Sequence, residues 1–131
     1  MFRSLLLAMP LVLLAASATA GDTDDIDCKN AMVQHDMNIC ADRDYQAADK
    51  KLNAVYAKVS ADEEGKDKLK TAQRAWIVFR DAECTFETAG SEGGSIHPME
   101  YSMCLTKLTK ARTKELGAYF ACDKSMKLCG G

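Results

Sequence analysis

Apolar positions recur at three- and four-residue intervals along most of the chain, and strict alternation is rare. That is the signature of amphipathic helices rather than strands. A first helix is predicted over residues 35–59, where Ile39, Leu52, Val55, Tyr56 and Val59 mark one face. Ser60-Ala61-Asp62-Glu63 has the form of a capping box, in which the serine oxygen takes a backbone N–H and the glutamate reaches back. A second helix is expected to follow to about residue 88, with Gly65 as a weak point near its start. On it Leu69, Gln73, Trp76, Arg80 and Glu83 interleave with Ala72, Trp76, Phe79, Glu83 and Phe86. The two stripes form one broad face, with Trp76 and Phe79 in the core and Gln73 and Arg80 at its border. "AGSEGGS", residues 89–95, is the clearest loop, because its glycines are costly inside a helix. Pro98 suits the first turn of a third helix, where its missing N–H is not needed. That helix should run to about residue 119 on Met99, Met103, Leu105, Leu108, Arg112 and Leu116.

The ends modify this picture. Residues 1–20 carry a positive start at Arg3, an apolar stretch from residue 5 to 16 and a small-x-small ending, Ala18-Thr19-Ala20. They read as a cleavable secretory signal, cut after Ala20. The apolar stretch is shorter than the roughly 20 residues that span a bilayer. No cysteine directly follows the cut, so the expectation is an unanchored periplasmic or secreted protein. Cleavage leaves 111 of the 131 residues and shifts the formal charge from −2 to −3 by removing Arg3. A mildly acidic chain argues against nucleic acid or an anionic membrane as partner. Residues 21–27 are an acidic leader, residues 28–120 one helical domain, and residues 121–131 a terminal loop or tail.

All six cysteines, Cys28, Cys40, Cys84, Cys104, Cys122 and Cys129, lie after the signal. An even number in a small exported chain reads as a disulfide framework. No C-x-x-C occurs, and His35 and His97 are not spaced as a zinc pair. Residues equidistant from a turn face each other in an antiparallel helix pair. Cys84 and Cys104 are each ten positions from Gly94, and Cys28 and Cys40 are each six from Gln34. Twelve helical residues rise about 18 Å, whereas bridged Cα atoms lie within about 7 Å. A 28–40 bridge therefore requires a chain reversal near residue 34. The expected pairs are 28–40, 84–104 and 122–129. The fold class is all-α: a small antiparallel three-helix bundle with a short N-terminal segment, stapled by disulfides.

Counting from the turns sets Asp49 level with Gln73 or Ile77, and Arg112 level with Trp76. Asp49, Asn53, Gln73, Arg80 and Arg112 thus form a candidate cluster. An acid–base site of Asp49, Arg80 and Arg112 is one reading. A polar network that sets helix register is the preferred one, since arginine does not shuttle protons and no second carboxylate is poised beside Asp49.

Four blocks carry a resemblance: "CKNAMVQHDMNICADRDYQAADKKLNAVY", "LKTAQRAWIVFRDAEC", "GGSIHPM" and "CLTKLTKARTKEL". Together they resemble, in order and spacing, the domain family of LprI-like lysozyme inhibitors over residues 28–116. The resemblance implies an exported, helical, disulfide-bearing domain that inhibits lysozyme. No G-x-S-x-G, H-E-x-x-H or phosphate-loop motif occurs and every cysteine has an expected partner, so a binding protein rather than an enzyme is expected. The namesake is a lipoprotein, whereas this chain lacks the lipid-attachment cysteine, and Cys122 and Cys129 lie beyond the family core. The resemblance carries no defined inhibitory residues. The loop is the local candidate: Ser91, Gly93, Gly94, Ser95 and His97, narrow and braced at its base by Cys84 and Cys104. A plain helix connector capped by Ser95 or His97 explains the same residues. Two other functions fit the sequence. One is an envelope adaptor binding another protein. The other is Cu(I) binding by His97, Met99 and Met103, against which the two methionines, one turn apart, read as core filler. No cofactor is called for.

Overall fold

The computed structural model describes residues 25–61 and 65–121 of the 131. The signal segment, most of the leader, Asp62, Glu63 and the expected Cys122–Cys129 bridge lie outside the described residues. Three long helices make up the fold: α1 (Gln34–Val59), α2 (Lys66–Glu87) and α3 (His97–Ala121), with a 3₁₀ turn at Ala89–Ser91. No strand occurs among the described residues. The helices begin and end within a few residues of the positions that periodicity indicates, because the breakers Gly65, Gly93, Gly94 and Pro98 bound them.

Two disulfides pair as spacing predicts. Cys28–Cys40 folds the N-terminal segment back onto α1, with Cα atoms 5.5 Å apart. Arg43 secures that segment by donating from Nη1 to the Ile26 carbonyl at 3.1 Å. Cys84–Cys104 joins α2 to α3 across the connecting loop, with Cα atoms 5.6 Å apart. Leu105 buries against this bridge, and Tyr45, Tyr101 and Leu108 pack around it.

Consecutive helices run antiparallel, which leaves α1 and α3 side by side and parallel. Their starts meet where the Gln34 amide reaches Met99 Sδ at 3.8 Å. The α1–α3 contact is by far the more extensive, while α2 meets α3 at fewer positions. Small residues explain the close approach. α1 buries Ala41, Ala48 and Leu52. α3 buries Ser102, Leu105, Thr106, Thr109 and Leu116. The Thr106 and Thr113 hydroxyls donate to the carbonyls four residues back, Ser102 O and Thr109 O, both at 2.8 Å. Such hydroxyls need no partner on the neighbouring helix. Thr109 differs: its Oγ1 is buried and has no hydrogen-bond partner.

Several expectations are corrected. The α1–α2 turn does not open with a serine cap. Ser60 closes α1: its N–H donates to the Tyr56 carbonyl at 2.8 Å and its hydroxyl to the Ala57 carbonyl at 3.3 Å. Gly65, with φ of 85°, occupies the position before α2, a left-handed conformation that an L side chain rarely adopts. The later turn carries Asp49 past Gln73 and Ile77, to within 3.8 Å of Arg80.

The rotation of α2 also differs. Gln73, Arg80 and Cys84 are its buried residues, while Phe79 is 53% exposed and Trp76 half-buried. The disulfide is the cause. It turns the Cys84 side inward, and Arg80 and Gln73 lie four and eleven residues before Cys84, on the same face. Phe79 lies about 100° away from Arg80 and faces out. On α3, Met103 is 58% exposed rather than part of the packed face, because Ser102, Thr106 and Thr109 take the inward positions.

Candidate functional site

The loop between α2 and α3 is held at nearly every residue. The Thr88 hydroxyl donates to the Cys84 carbonyl at 2.7 Å, which ends α2 one turn past the disulfide. The Ser91 N–H donates to the Thr88 carbonyl at 3.1 Å, and the Gly94 N–H to the Ser91 carbonyl at 2.9 Å. Gly93 has φ of 78°, and a Cβ on Gly94 would meet the Ser91 carbonyl oxygen at 3.0 Å. Both glycines are therefore required by the turn, one for its dihedral and the other for close approach. The His97 N–H donates to the Gly94 carbonyl at 3.3 Å as α3 begins.

Side chains lock the same turn from two directions. Ser91 Oγ lies 3.2 Å from His97 Nδ1 and 3.1 Å from the Thr88 carbonyl oxygen. A hydroxyl has one proton. If it is donated to Thr88, His97 carries its proton on Nδ1. If it is donated to His97, the proton sits on Nε2. The ring stacks on Tyr101 with centroids 6.1 Å apart, which ties it to the disulfide cluster. From α1, the Asn38 amide donates to the Ser95 carbonyl at 3.0 Å, and the Gln34 amide donates to Asn38 Oδ1 at 2.8 Å. Gly93, Gly94 and Ser95 remain exposed, with His97 and Ser91 half-buried behind them. The result is a narrow, stiff protrusion presenting backbone and small polar groups.

Five sequence-selected residues thus share one turn: Ser91, Gly93, Gly94, Ser95 and His97. Asn38 and Gln34 were not anticipated as braces. Their i, i+4 spacing in the first turn of α1 is legible, but their reach to a loop 57 residues on is not. Of the copper candidates, His97 is engaged through Nδ1, Met99 faces the Gln34 amide and Met103 is exposed. Among the described residues, no group of three or more His, Cys, Asp or Glu could hold a metal ion.

The second cluster, 80 to 49 to 112, lies inside the helix junction. Arg80 is only 7% exposed. Its guanidinium donates from Nε to Asp81 Oδ1 at 2.8 Å, with Nη2 2.7 Å from the same oxygen, and Nη1 lies 3.8 Å from Asp49 Oδ1. It stands 5.5 Å from the Tyr45 ring centroid and 5.3 Å from that of Trp76, within cation–π range. Arg112 approaches Trp76 at 5.9 Å, donates from Nε to Gln73 Oε1 at 3.0 Å and from Nη1 to Glu115 Oε2 at 3.0 Å. Asn53 donates to Asp49 Oδ2 at 2.9 Å. All five residues of this group are therefore in one place, with Trp76 bridging two subsets: Asp49, Asn53 and Arg80 on one side, Gln73 and Arg112 on the other. Asp81 and Tyr45 complete it and were missed; Asp81 is sequence-adjacent to Arg80, which hides it from helix-face arguments. Burial pushes the Tyr45 hydroxyl above its ordinary pKa, and nearby Arg80 partly opposes this.

With this geometry in place, comparison with known proteins is informative. The sequence model of a family described as lysozyme inhibitor LprI matches residues 27–116. The uncharacterized protein R02472 of Rhizobium meliloti (strain 1021) is 40% identical over 124 residues, spanning 83% of this chain and 89% of its own. The uncharacterized protein YecT of Escherichia coli (strain K12) is 28% identical over 150 residues, spanning 91% of each chain. No solved structure matches.

Proposed function

The chain belongs to the LprI lysozyme-inhibitor family, and from that premise we propose that it is an exported, non-catalytic protein that binds and blocks a lysozyme through the loop of residues 91–97. Export accords with the two disulfides, which persist in oxidising compartments. The observation that carries the loop assignment is its bracing. A blocking element must enter a cleft without losing its shape, and ordering a flexible loop would cost affinity. Here the disulfide, Asn38 and Ser91 hold the turn before any partner arrives.

Lysozyme-type muramidases cleave glycosidic bonds with a pair of carboxylates. A complementary tip therefore needs hydrogen-bond donors that fit a narrow space. Ser95 and His97 supply side-chain donors, and the exposed glycines let the backbone approach closely. The mild net negative charge of the chain assists encounter with a cationic enzyme.

The test is a lysis assay with the purified mature protein and lysozymes of several types. Stoichiometric inhibition, lost in Ser95→Ala or His97→Ala while the circular dichroism spectrum is retained, supports the reading. Absence of inhibition at large molar excess against every lysozyme type rejects the function. Inhibition unchanged in both variants rejects the loop.

A further inference from the structure

Both described disulfides sit at one end of the bundle. Cys40 lies six positions after Gln34, the first residue of α1, and Cys104 seven after His97, the first of α3. α1 and α3 run parallel from starts that touch, so the two bridges staple the same end. The loop of residues 91–97 projects from that end. Cys28–Cys40 holds the segment leading into α1 there, and Asp27 stiffens it: its carboxylate accepts from the Lys29 N–H at 3.0 Å and from the Asn30 amide at 2.7 Å. The same end carries exposed apolar side chains: Met32 is 86% exposed, Val33 58% and Ile96 39%. Val33 and Ile96 stand immediately before α1 and α3. Their carbonyls accept the first helical hydrogen bonds, from the Met37 N–H at 3.1 Å and the Glu100 N–H at 3.2 Å. This position favours Ser, Thr, Asp or Asn, whose side-chain oxygen takes a further N–H. Valine and isoleucine have no such atom, and α1 has no side-chain cap. The chain thus forgoes two caps and leaves apolar surface in water at one place, a double local cost of the kind found at functional surfaces.

We propose that Met32, Val33 and Ile96 join the polar tip of the loop, residues 93–95, in one contact surface, and that the lysozyme blocked by the tip covers them. The inference rests on the inhibitory reading and adds residues to it. Two observations select this occupant. The first is continuity. Ile96 directly follows the tip. Val33 directly precedes Gln34, whose amide reaches both Met99 and Asn38, and Asn38 donates to the Ser95 carbonyl. An enzyme whose cleft receives the tip therefore brings its rim against Ile96 and Val33. The second is area. A standard complex buries about 800 Å² on each partner. Gly93, Gly94 and Ser95 have almost no apolar side chain to contribute, so the tip alone falls far short. The remainder must come from its surroundings. These aliphatic side chains adjoin it on backbone that the two disulfides already hold, so burying them requires little further ordering.

This surface separates binding from folding. Val33→Ser and Ile96→Ser each supply a capping oxygen, so thermal stability should hold or rise. Each also removes apolar area from the surface, and inhibition should weaken by about 10-fold per substitution. Met32→Ser, at the most exposed of the three, should weaken it in the same direction. A structural role predicts the reverse: lost stability with inhibition unchanged. Val78, 70% exposed on α2, is the matched control, and Val78→Ser should leave inhibition as it is.

The test titrates the full oxidised mature chain and these four variants against several lysozymes, and reads inhibition strength beside thermal melts. Weaker inhibition in Val33→Ser, Ile96→Ser and Met32→Ser, with melting temperatures at or above the parent's and no change in Val78→Ser, supports the proposal. Weaker inhibition that tracks a fall in melting temperature assigns these residues to folding and overturns it. Inhibition unchanged in all three, while Ser95→Ala or His97→Ala removes it, overturns the extended surface and leaves the loop reading standing. A parent that inhibits no lysozyme overturns the inhibitory reading and this surface together. Equal weakening by Val78→Ser overturns the assignment to this end of the bundle. If sedimentation shows the parent self-associating, and the three substitutions abolish that while inhibition is retained, the patch belongs to a second copy and the proposal fails.

Discussion

The α1–α3 contact and the attachment of α2 solve the same problem by opposite means. The residues that α1 and α3 bury are mostly small, Ala41 and Ala48 on one and Ser102, Thr106 and Thr109 on the other, with Leu52 and Leu116 buried toward the C-terminal ends of the two helices. None of the described residues these two helices bury is charged. α2 instead turns Gln73 and Arg80 inward and leaves Phe79, Val78 and Phe86 outside. It is held by one disulfide, by arginines stacked on Trp76 and Tyr45, and by the Gln73–Arg112 hydrogen bond. The difference shows that a buried position can be assigned by a covalent constraint and satisfied by a long polar side chain. An arginine stem buries apolar surface while its head finds partners. The arrangement also leaves Val78, Phe79 and Phe86 exposed on the outer face of α2.

Four measurements would break or sharpen this contrast. The largest effect is expected from replacing Cys84 and Cys104 together by serine. Closing a loop of 20 residues stabilises by about 3 kcal/mol in the chain-entropy account. In hydrogen exchange, the amides of α2 should lose protection well before those of α1 and α3. Uniform loss across all three helices would mean that α2 is as firmly docked as its neighbours. Next comes the inverted pair on α2. Arg80→Ala should cost about 2–3 kcal/mol in urea melts, through lost packing of the stem and the lost contacts of the guanidinium with Asp81, Trp76 and Tyr45. Phe79→Ala, at dilute concentration, should stay within about 0.5 kcal/mol. The opposite order would return the phenylalanine to the core.

The third measurement addresses the α1–α3 contact. Thr109 is fully buried with an unpartnered hydroxyl. Thr109→Val keeps the shape and removes that group, so stability should rise by about 1 kcal/mol. A fall would show that the hydroxyl has a partner after all. The smallest effect is alkaline. The Tyr45 hydroxyl titrates above its ordinary value of 10.0 because burial opposes the charged form. The unfolded chain therefore releases this proton first. Its contribution to stability is complete below pH 10 and declines as pH rises from there through the folded-state pKa. Tyr45→Phe should flatten that part of the stability–pH curve, and an unchanged slope would discount the burial.

Much of the fold was readable before any coordinates. Equidistance from a turn pairs Cys84 with Cys104, since helices rise by a constant step and antiparallel neighbours must match. Gly93 and Gly94 announce a turn because one needs a left-handed φ and the other needs room. The candidate loop was legible for the same reason, and its bracing by the disulfide follows from the pairing. Its bracing by Asn38 was not, since nothing local relates residue 38 to residue 95. Hydrophobicity sets the wrong phase for α2. The 84–104 disulfide is the better reference: counting four and eleven residues back from Cys84 reaches Arg80 and Gln73, the residues that are buried.

By itself, then, the sequence determined helix number, approximate helix limits, the partners in two disulfides and the family, because periodicity, breakers and spacing are local or one-dimensional properties. Tertiary structure decided which face of α2 turns inward, that Trp76 sits between two arginines, and that α1 and α3 form the tight pair. Those outcomes depend on three helices closing on one another at once, where a covalent bridge and the room left by small side chains outweigh the hydrophobicity of any one face.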